Sequence, residues 1–206
     1  MFHLKRQDFD DLDHLYKINL VNSCSGFKSA NLIGTKSNDG IPNVAVFSSV
    51  THFGSNPPLL GIIFRPVSDV PRNTYENIKE TGQFTINHIH WDIIEQAHHT
   101  SAKYNKRISE FEVTELEEEY KNNWHAPFVK GVPVQIALTY CEEYKIKANN
   151  TIQLIAEIKD LYVKDELVEK DGFINLSKGN VMTINGLDGY ALPSLKQRID
   201  YQRPIK

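Results

Sequence analysis

The stretch NVAVFSSVTHFGSNPPLLGIIFRPVSDVPRNTYENIKETGQFTIN, residues 43–87, decides the reading of this chain. Val44–Val50 is apolar and β-rich, the returning arm of a hairpin whose first arm is Asn31–Thr35 and whose turn is Asp39-Gly40. A polar turn follows, with Ser48, Ser49 and Thr51 ahead of Gly54 and Ser55. Pro57-Pro58 opens the next strand, where no ladder donor is required. Leu59–Phe64 is a near-continuous apolar run, which predicts a strand buried on both faces. After the loop Pro66–Pro71 the pattern predicts a short helix, Thr74–Thr81, capped by Asn73 with Glu76 in a capping-box position and closed by Gly82. Gln83–Ile89 alternates strictly and reads as a half-buried strand.

Outward from this stretch the chain stays rich in strands. Asp8–Asn22 has apolar residues at helical spacing (Phe9, Leu12, Leu15, Tyr16, Leu20) behind an acidic first turn, and predicts a helix. Asp92–Ser101 predicts another. Val132–Tyr144 and Thr151–Val163 read as two long strands joined at Ala148-Asn149-Asn150, and Val181–Ile184 as a last short one. The acidic run Glu115–Glu119 reads as solvated surface. The tail from Pro193 carries little helix or strand signal, so it is draped on the surface or reaches a partner chain. The total is about seven strands with hairpin connections and no βαβ rhythm, which excludes a doubly wound parallel sheet. So many antiparallel strands avoid free edges by closing into a barrel.

Composition narrows the class. With 206 residues, 40% hydrophobic, 24% charged and a formal net charge of −3, the chain reads as a single domain, 1–206, with one buried core. Scattered Lys and Arg and mild acidity exclude a general nucleic-acid binder. The N-terminus has no apolar signal-peptide core, and no run reaches the ~18 apolar residues of a membrane span. Cys24 and Cys141 are far apart and form no CxxC, which fits free thiols in a reducing compartment. The expectation is a cytoplasmic protein.

Three groups of residues offer chemistry. Ser48, Ser49 and their backbone N–H groups at a strand end suit the polar edge of a planar ligand; the plainer reading is that they satisfy a turn. Arg65 closes an apolar strand and Arg72 stands before a helix start. A guanidinium beside unpaired helix N–H groups is a natural phosphate seat, to which Thr74 and Asn77 add hydrogen-bonding groups. The plainer reading leaves Arg72 solvated. His88, His90, His98 and His99 include an HxH pair but no convincing third ligand, so no metal is expected. Glycine-rich phosphate loops, a GxSxG elbow and a cysteine-nucleophile context are all missing.

In order and spacing, the segments from Asn31 to Glu112 resemble the flavin reductase-like family, the FMN-binding split barrels. The matching pieces are NLIGT, the Asp39-Gly40 turn, N-x-A-x-F-S-S at Asn43–Ser49 and S-x-P-P-L-L at Ser55–Leu60. Next come T-x-x-N-I at Thr74–Ile78, T-G-x-F-x-x-N at Thr81–Asn87, and T-S-A with S-E-F-E up to Glu112. The resemblance implies a mainly β fold, an antiparallel split β-barrel with a few inserted short helices, forming a homodimer with one FMN per subunit. Carried over by position, it implies that Phe47, Ser48, Ser49 and Val50 run along the flavin ring. It puts Arg72 and Thr74 at the phosphate with Asn77 close by, Asn87 near the ring or ribityl chain, and Arg65 at a more variable contact.

The implied activity is an NAD(P)H-dependent flavin reductase, with NADH or NADPH as co-substrate and small molecules as donor and acceptor. The chemistry would belong to the cofactor, so no catalytic triad is expected. The resemblance departs at the C-terminal segment. Many members that use free nicotinamide carry Gly-Asp-His there; this chain reads Gly186-Leu187-Asp188-Gly189-Tyr190, with His98 or His99 as candidate substitutes. An FMN-binding electron carrier or flavin store therefore stands as the alternative. A barrel that has lost its cofactor and serves as an interaction module is the third reading.

Overall fold

The structure is a computed structural model that describes residues 1–67 and 72–204. Most of the expected Pro66–Pro71 loop, residues 68–71, therefore lies outside the described residues. After a 3₁₀ turn at Arg6–Phe9, helix α1 spans His14–Cys24. Its start is later than the apolar spacing predicts because Asp13 is the N-cap, its carboxylate accepting from Leu15 and Tyr16 N–H at 2.9 and 3.2 Å. None of its residues is buried.

The barrel strands follow. β1 is Lys28–Ser29, β2 Asn31–Lys36, β3 Pro42–Phe47, β4 Val50–Ser55 and β5 Pro58–Phe64. The β2–β3 hairpin turns at Gly40, whose φ of +86° only glycine adopts without strain and whose N–H donates to the Ser37 carbonyl at 3.0 Å. β3 stops at Phe47 rather than running to Val50, and much of the expected polar turn is a strand, β4. Its Thr51, His52 and Phe53 are exposed, as an edge strand permits.

Helix α2, Asn73–Thr81, begins one residue before its predicted span and ends as predicted: Gly82 at φ +70° donates its N–H to the Ile78 carbonyl at 2.8 Å. Its start differs. Arg72 is the N-cap with no side-chain cap bond, Asn73 is the first helical residue, and Glu76 turns outward to Lys106 at 2.8 Å instead of completing a capping box.

β6, Gln83–His88, is buried on both faces through Phe84–Asn87, not half-exposed, because it lies inside the sheet. A 3₁₀ turn at Trp91–Ile93 and helix α3, Ile94–His99, follow it. Helix α4 is Glu110–Thr114, and β7 (Glu118–Glu119) pairs with β8 (Phe128–Val129). The two long strands are β9, Val134–Lys145, and β10, Ile152–Val163. β11 (Thr183–Asn185) and β12 (Gly189–Ala191) join β1 in a small sheet of order β1-β11-β12.

The main sheet has seven strands in the order β3-β2-β6-β9-β10-β5-β4, antiparallel at every pairing. Its two outermost strands, β3 and β4, are consecutive in the chain and separated by Ser48-Ser49. Flat, seven strands at ~4.8 Å spacing would hold their edges almost 30 Å apart. The chain from Phe47 to Val50 reaches about 11 Å at most. The sheet must curl until its edges meet at this end, and the result is the split barrel. Register shifts in the β9–β10 ladder, between Ile155 and Ala156 and between Ile158 and Asp160, supply local bends for that curvature.

One apolar cluster fills the interior, with Ile33, Ile62, Phe64, Ile78, Phe84, Ile86, Ile136, Leu138 and Leu154 among its members. A second, including Leu32, Val44, Ile89, Ala97, Phe111 and Met182, lies on the opposite face of β2 and β3, where α3 and α4 pack. The tail beyond Leu192 lies against the 169–177 segment. Leu195 N–H donates to Ser177 Oγ at 3.0 Å, and Arg198 pairs with Asp171 at 2.6 Å and Glu169 at 3.2 Å. The Arg198 guanidinium also stacks over Phe173, 4.1 Å from the ring centroid. Among the described residues, no helix is long and apolar enough to cross a membrane.

Candidate functional site

Phe47–Val50, all half-buried, form the seam where the barrel edges meet. Ser49 Oγ donates to the Ile63 carbonyl at 2.8 Å, and Ile63 N–H donates to the Ser49 carbonyl at 3.4 Å. The Ser49 hydroxyl proton is thus committed to β5, and what Ser49 offers a ligand is lone pairs. From β1, Ser29 Oγ donates to the Val50 carbonyl at 3.4 Å. From β2, Asn31 Nδ2 reaches Ser29 Oγ at 2.9 Å and the Phe47 carbonyl at 3.4 Å. Ser48 makes no side-chain hydrogen bond among the described residues.

An aromatic run leads from the seam to α2. Phe47 meets Phe64 edge-on at 5.2 Å between centroids, and Phe64 meets Tyr75 at 5.5 Å. Tyr75 Oη donates to Glu143 Oε1 at 2.9 Å, and burial together with that carboxylate pushes the phenol up to about 12. Lys79 sits 3.3 Å from the same Glu143 and donates to Tyr140 Oη at 2.8 Å, fixing the far side of the helix.

At the start of α2 the N–H groups of Asn73, Thr74 and Tyr75 lack intrahelical acceptors by helix geometry. Arg72 precedes them, and its Nε is buried without a hydrogen-bond partner among the described residues. Unpaired backbone donors, the positive end of a helix dipole and an unpartnered guanidinium nitrogen together suit an anion. Arg65, one residue past β5, is exposed.

The side chains of Thr74 and Asn77 turn inward. Both are buried; Thr74 Oγ1 lies 3.1 Å from the Asn43 amide, and Asn77 Nδ2 donates to Thr35 Oγ1 at 3.1 Å. Asn77 Oδ1 has no partner among the described residues. Because a hydroxyl donates as readily as it accepts, Thr35 also fits the reverse amide orientation, which would leave an Asn77 N–H spare.

The structure does not bring Asn87 to the seam. Nδ2 of Asn87 donates to the Leu32 carbonyl at 3.2 Å and to Thr85 Oγ1 at 2.9 Å, and its Oδ1 accepts from Val129 N–H at 3.0 Å. The reason is register. Asn87 pairs with Leu32, whereas Phe47 pairs with Asn31 and Asn31 with His88, so Asn87 lies on the opposite face from that row. His88 therefore shares the Phe47 face, with its pKa pushed down to about 4 by burial, so it is neutral near pH 7. Composition gave no signal for Asn31 or for His88 over His90; the strand pairing supplies it. His90 instead lies 3.4 Å from Asp92.

A second recess of about 480 Å³ is lined by Ile94, Glu95, His98 and His99 from α3 and its start, and by Asp188 and Tyr190. His98 Nδ1 and Tyr190 Oη are 3.3 Å apart with the rings edge-to-face, and burial pushes the Tyr190 phenol up to about 12. The C-terminal segment and the α3 histidines thus do meet. No group of three or more His, Cys, Asp or Glu is placed to hold a metal among the described residues.

A seamed antiparallel barrel with a helix start joined to the seam by three aromatic rings defines the split-barrel class. Residues 25–182 match the model of the flavin reductase like domain, and the chain belongs to that family. A split-barrel-domain protein from Shewanella frigidimarina NCIMB 400, assigned as a flavin reductase, is 44% identical over 98% of this chain and 100% of its own, with a TM-score of 0.94. Component B of nitrilotriacetate monooxygenase from Bacillus cereus shares the fold at 17% identity and a TM-score of 0.83, over 97% of this chain and 98% of its own. An FMN-binding protein from Thermus thermophilus shares it at 12% identity and a TM-score of 0.72, over 86% and 93%. The family and the 44% identical Shewanella frigidimarina protein support a flavin-linked oxidoreductase.

Proposed function

We propose that this protein is an FMN-binding NAD(P)H:flavin oxidoreductase, acting as a single domain and as a homodimer in the cytoplasm. The observation that carries the reading is the buried Arg72 Nε at the start of α2, without a partner among the described residues and joined through Tyr75, Phe64 and Phe47 to the seam. These groups fit FMN: an anion seat at one end and, at the other, a half-buried edge of backbone and aromatic surface for a ring. Arg72 and the N–H groups of Asn73–Tyr75 would hold the phosphate, with Thr74 and Asn77 beneath them and Arg65 near the rim. Phe47, Ser48, Ser49 and Val50 would line the ring. We assign Asn87, facing away, to supporting β2 and β8 rather than to direct contact.

Bound FMN would supply the redox chemistry, taking a hydride from reduced nicotinamide and passing electrons to a second flavin or another small acceptor. The protein's part is to orient, to exclude water and to keep His88 uncharged beside the seam. Support for the homodimer comes from α1, whose Leu15, Tyr16 and Val21 are exposed and which has no fully buried residue within the subunit.

The second reading, an electron carrier or flavin store without nicotinamide activity, draws on one observation: the C-terminal segment offers Tyr190 and Asp188, not a histidine, at the 480 Å³ recess. The visible spectrum of the purified protein, repeated anaerobically with NADH and with NADPH, separates the two. Yellow protein bleached by a nicotinamide supports the reductase, and yellow protein left unbleached supports the carrier. A colourless protein that takes up no added FMN rejects both.

A further inference from the structure

Glu110 is a buried carboxylate that the flavin reading leaves without a task. It opens α4, only 5% exposed, and its Oε2 accepts from Val44 N–H at 3.3 Å. Among the described residues it has no cationic partner. Of the charged groups on the elements around it, Arg72 stands at the start of α2, and Lys79 of α2 is held by Glu143 at 3.3 Å. β3 carries none, and Glu76 and Glu80 of α2 are held by Lys106 at 2.8 and 3.7 Å. Glu95, His98 and His99 of α3 line the Tyr190 recess, and Glu112 of α4 is exposed. Burial pushes the Glu110 carboxyl above its usual range, against the pull of two backbone N–H groups.

Between Glu110 and the start of α2 stands one side chain, Asn43, itself buried. Its amide fits two orientations. With Oδ1 toward α2, it accepts from Thr74 Oγ1–H at 3.1 Å and from Val44 N–H at 3.2 Å, and its Nδ2 donates to Glu110 Oε2 at 3.2 Å. With the amide reversed, Nδ2 donates to Thr74 Oγ1 at 3.1 Å and Oδ1 faces the Glu110 carboxyl. Two acceptors then oppose each other unless Glu110 carries a proton to share. Thr74 has a single hydroxyl proton. In the first arrangement that proton points inward to Asn43; in the second it is free to point out of the helix start.

We propose that Glu110 and Asn43 are positioning residues that fix the direction of the Thr74 hydroxyl, and so decide whether Thr74 donates a hydrogen bond to a phosphate seated at the start of α2. The inference rests on the reading of that helix start as a phosphate seat. Ionised Glu110 turns the Thr74 proton inward. Protonated Glu110 donates to Asn43 Oδ1, turns the amide, and releases the Thr74 proton to the phosphate, while Val44 N–H gives up Asn43 Oδ1 and keeps Glu110 Oε2 as its acceptor.

The test is a titration of the flavin-stripped full chain with FMN, and with riboflavin as the phosphate-free probe, across pH for wild type, Thr74→Val and Glu110→Gln, alone and combined. Comparing affinities with and without the Thr74 hydroxyl at each pH cancels the ionisation of the FMN phosphate itself. Loss of that hydroxyl weakens FMN binding about 10-fold while Glu110 is protonated, and the ratio falls toward one above the Glu110 midpoint. In the Glu110→Gln background, whose amide oxygen accepts from Val44 N–H and Asn43 Nδ2 at every pH as the ionised carboxylate does, the ratio stays near one throughout. Riboflavin shows no such ratio.

A ratio independent of pH in the wild-type background, or equally pH-dependent in the Glu110→Gln background, overturns the inference while leaving the phosphate seat standing. Wild type that binds FMN no better than riboflavin overturns the seat and the inference with it. Should Glu110→Gln fail to fold, wild-type NMR carries the test. The Asn43 side-chain amide signal follows the same midpoint as the Glu110 carboxyl carbon if the relay operates, and its indifference to that midpoint overturns the relay.

Discussion

The ring of Phe64 stands between those of Phe47 and Tyr75, 5.2 Å from the first and 5.5 Å from the second, and so ties the barrel seam to helix α2. Phe64 is 2% exposed and belongs to the interior cluster. Phe64→Ala removes both aromatic contacts and leaves a cavity beneath the candidate ring site. The expected cost is about 3–5 kcal/mol of stability. Urea unfolding measures it, and a loss under about 1 kcal/mol would mean that the three rings are not coupled as described.

Arg72→Ala removes the guanidinium at the start of α2, whose Nε has no partner among the described residues. FMN affinity is expected to fall about 10- to 100-fold, with riboflavin affinity nearly unchanged, because a charge-assisted bond to phosphate is worth about 1.5–3 kcal/mol. Unaltered flavin occupancy after this substitution removes the phosphate assignment.

Burial holds the His88 pKa at about 4 against an ordinary 6.5, so the unfolded chain takes up its proton first as pH falls. The associated stability is fully present above pH 6.5 and is lost as pH drops from there toward 4. Its upper bound is about 3 kcal/mol. Denaturation at pH 7 and pH 5 should therefore show a larger acid loss in wild type than in His88→Gln. Equal losses in the two proteins would place the imidazole in solvent.

Gly34 on β2 lets another segment come close: a Cβ there would collide with the Pro127 carbonyl and with Thr85 Oγ1, 2.6 Å away. Thr85 Oγ1 itself donates to that carbonyl at 2.6 Å. Gly34→Ala must push the 127 segment off the sheet and break this bond, at a cost of about 1–3 kcal/mol. Calorimetry that finds the variant as stable as wild type would mean the segment shifts freely.

The parts of the fold that were legible before any coordinates follow strong local rules. The β9–β10 hairpin, the Gly82 helix stop and the Asp39-Gly40 turn each depend on residues within a few positions of one another. What escaped depends on distant pairing. β4 reads as a turn because an edge strand tolerates polar, exposed Thr51 and His52 on both of its faces. The N-cap of α2 went to Arg72 rather than Asn73, a choice made by how the helix docks on β2 and β3.

The candidate site divides in the same way. Its two ends, Phe47–Val50 and the Arg72 helix start, stand out in the sequence as hydroxyl and guanidinium groups beside apolar strands. The facing of Asn87 and His88 turns on a one-residue difference in register that composition does not carry. Glu110 sits in an acidic-looking segment, so its burial had no local signature beyond the Ser-Glu-Phe motif.

The strand order also sets a sequence of assembly. β9 pairs with β6 and β10 pairs with β5, so the one long hairpin near the C-terminal end is the bridge between β3-β2-β6 and β5-β4. During synthesis the residues of the seam and of the α2 start emerge early, yet the two halves they belong to remain unjoined until residues 134–163 leave the ribosome. A nascent chain stopped before Val134 holds every residue of the candidate flavin site and none of the closure that would give it shape. Ligand capture is in this sense a late event of folding, available only once the long-range contacts have formed.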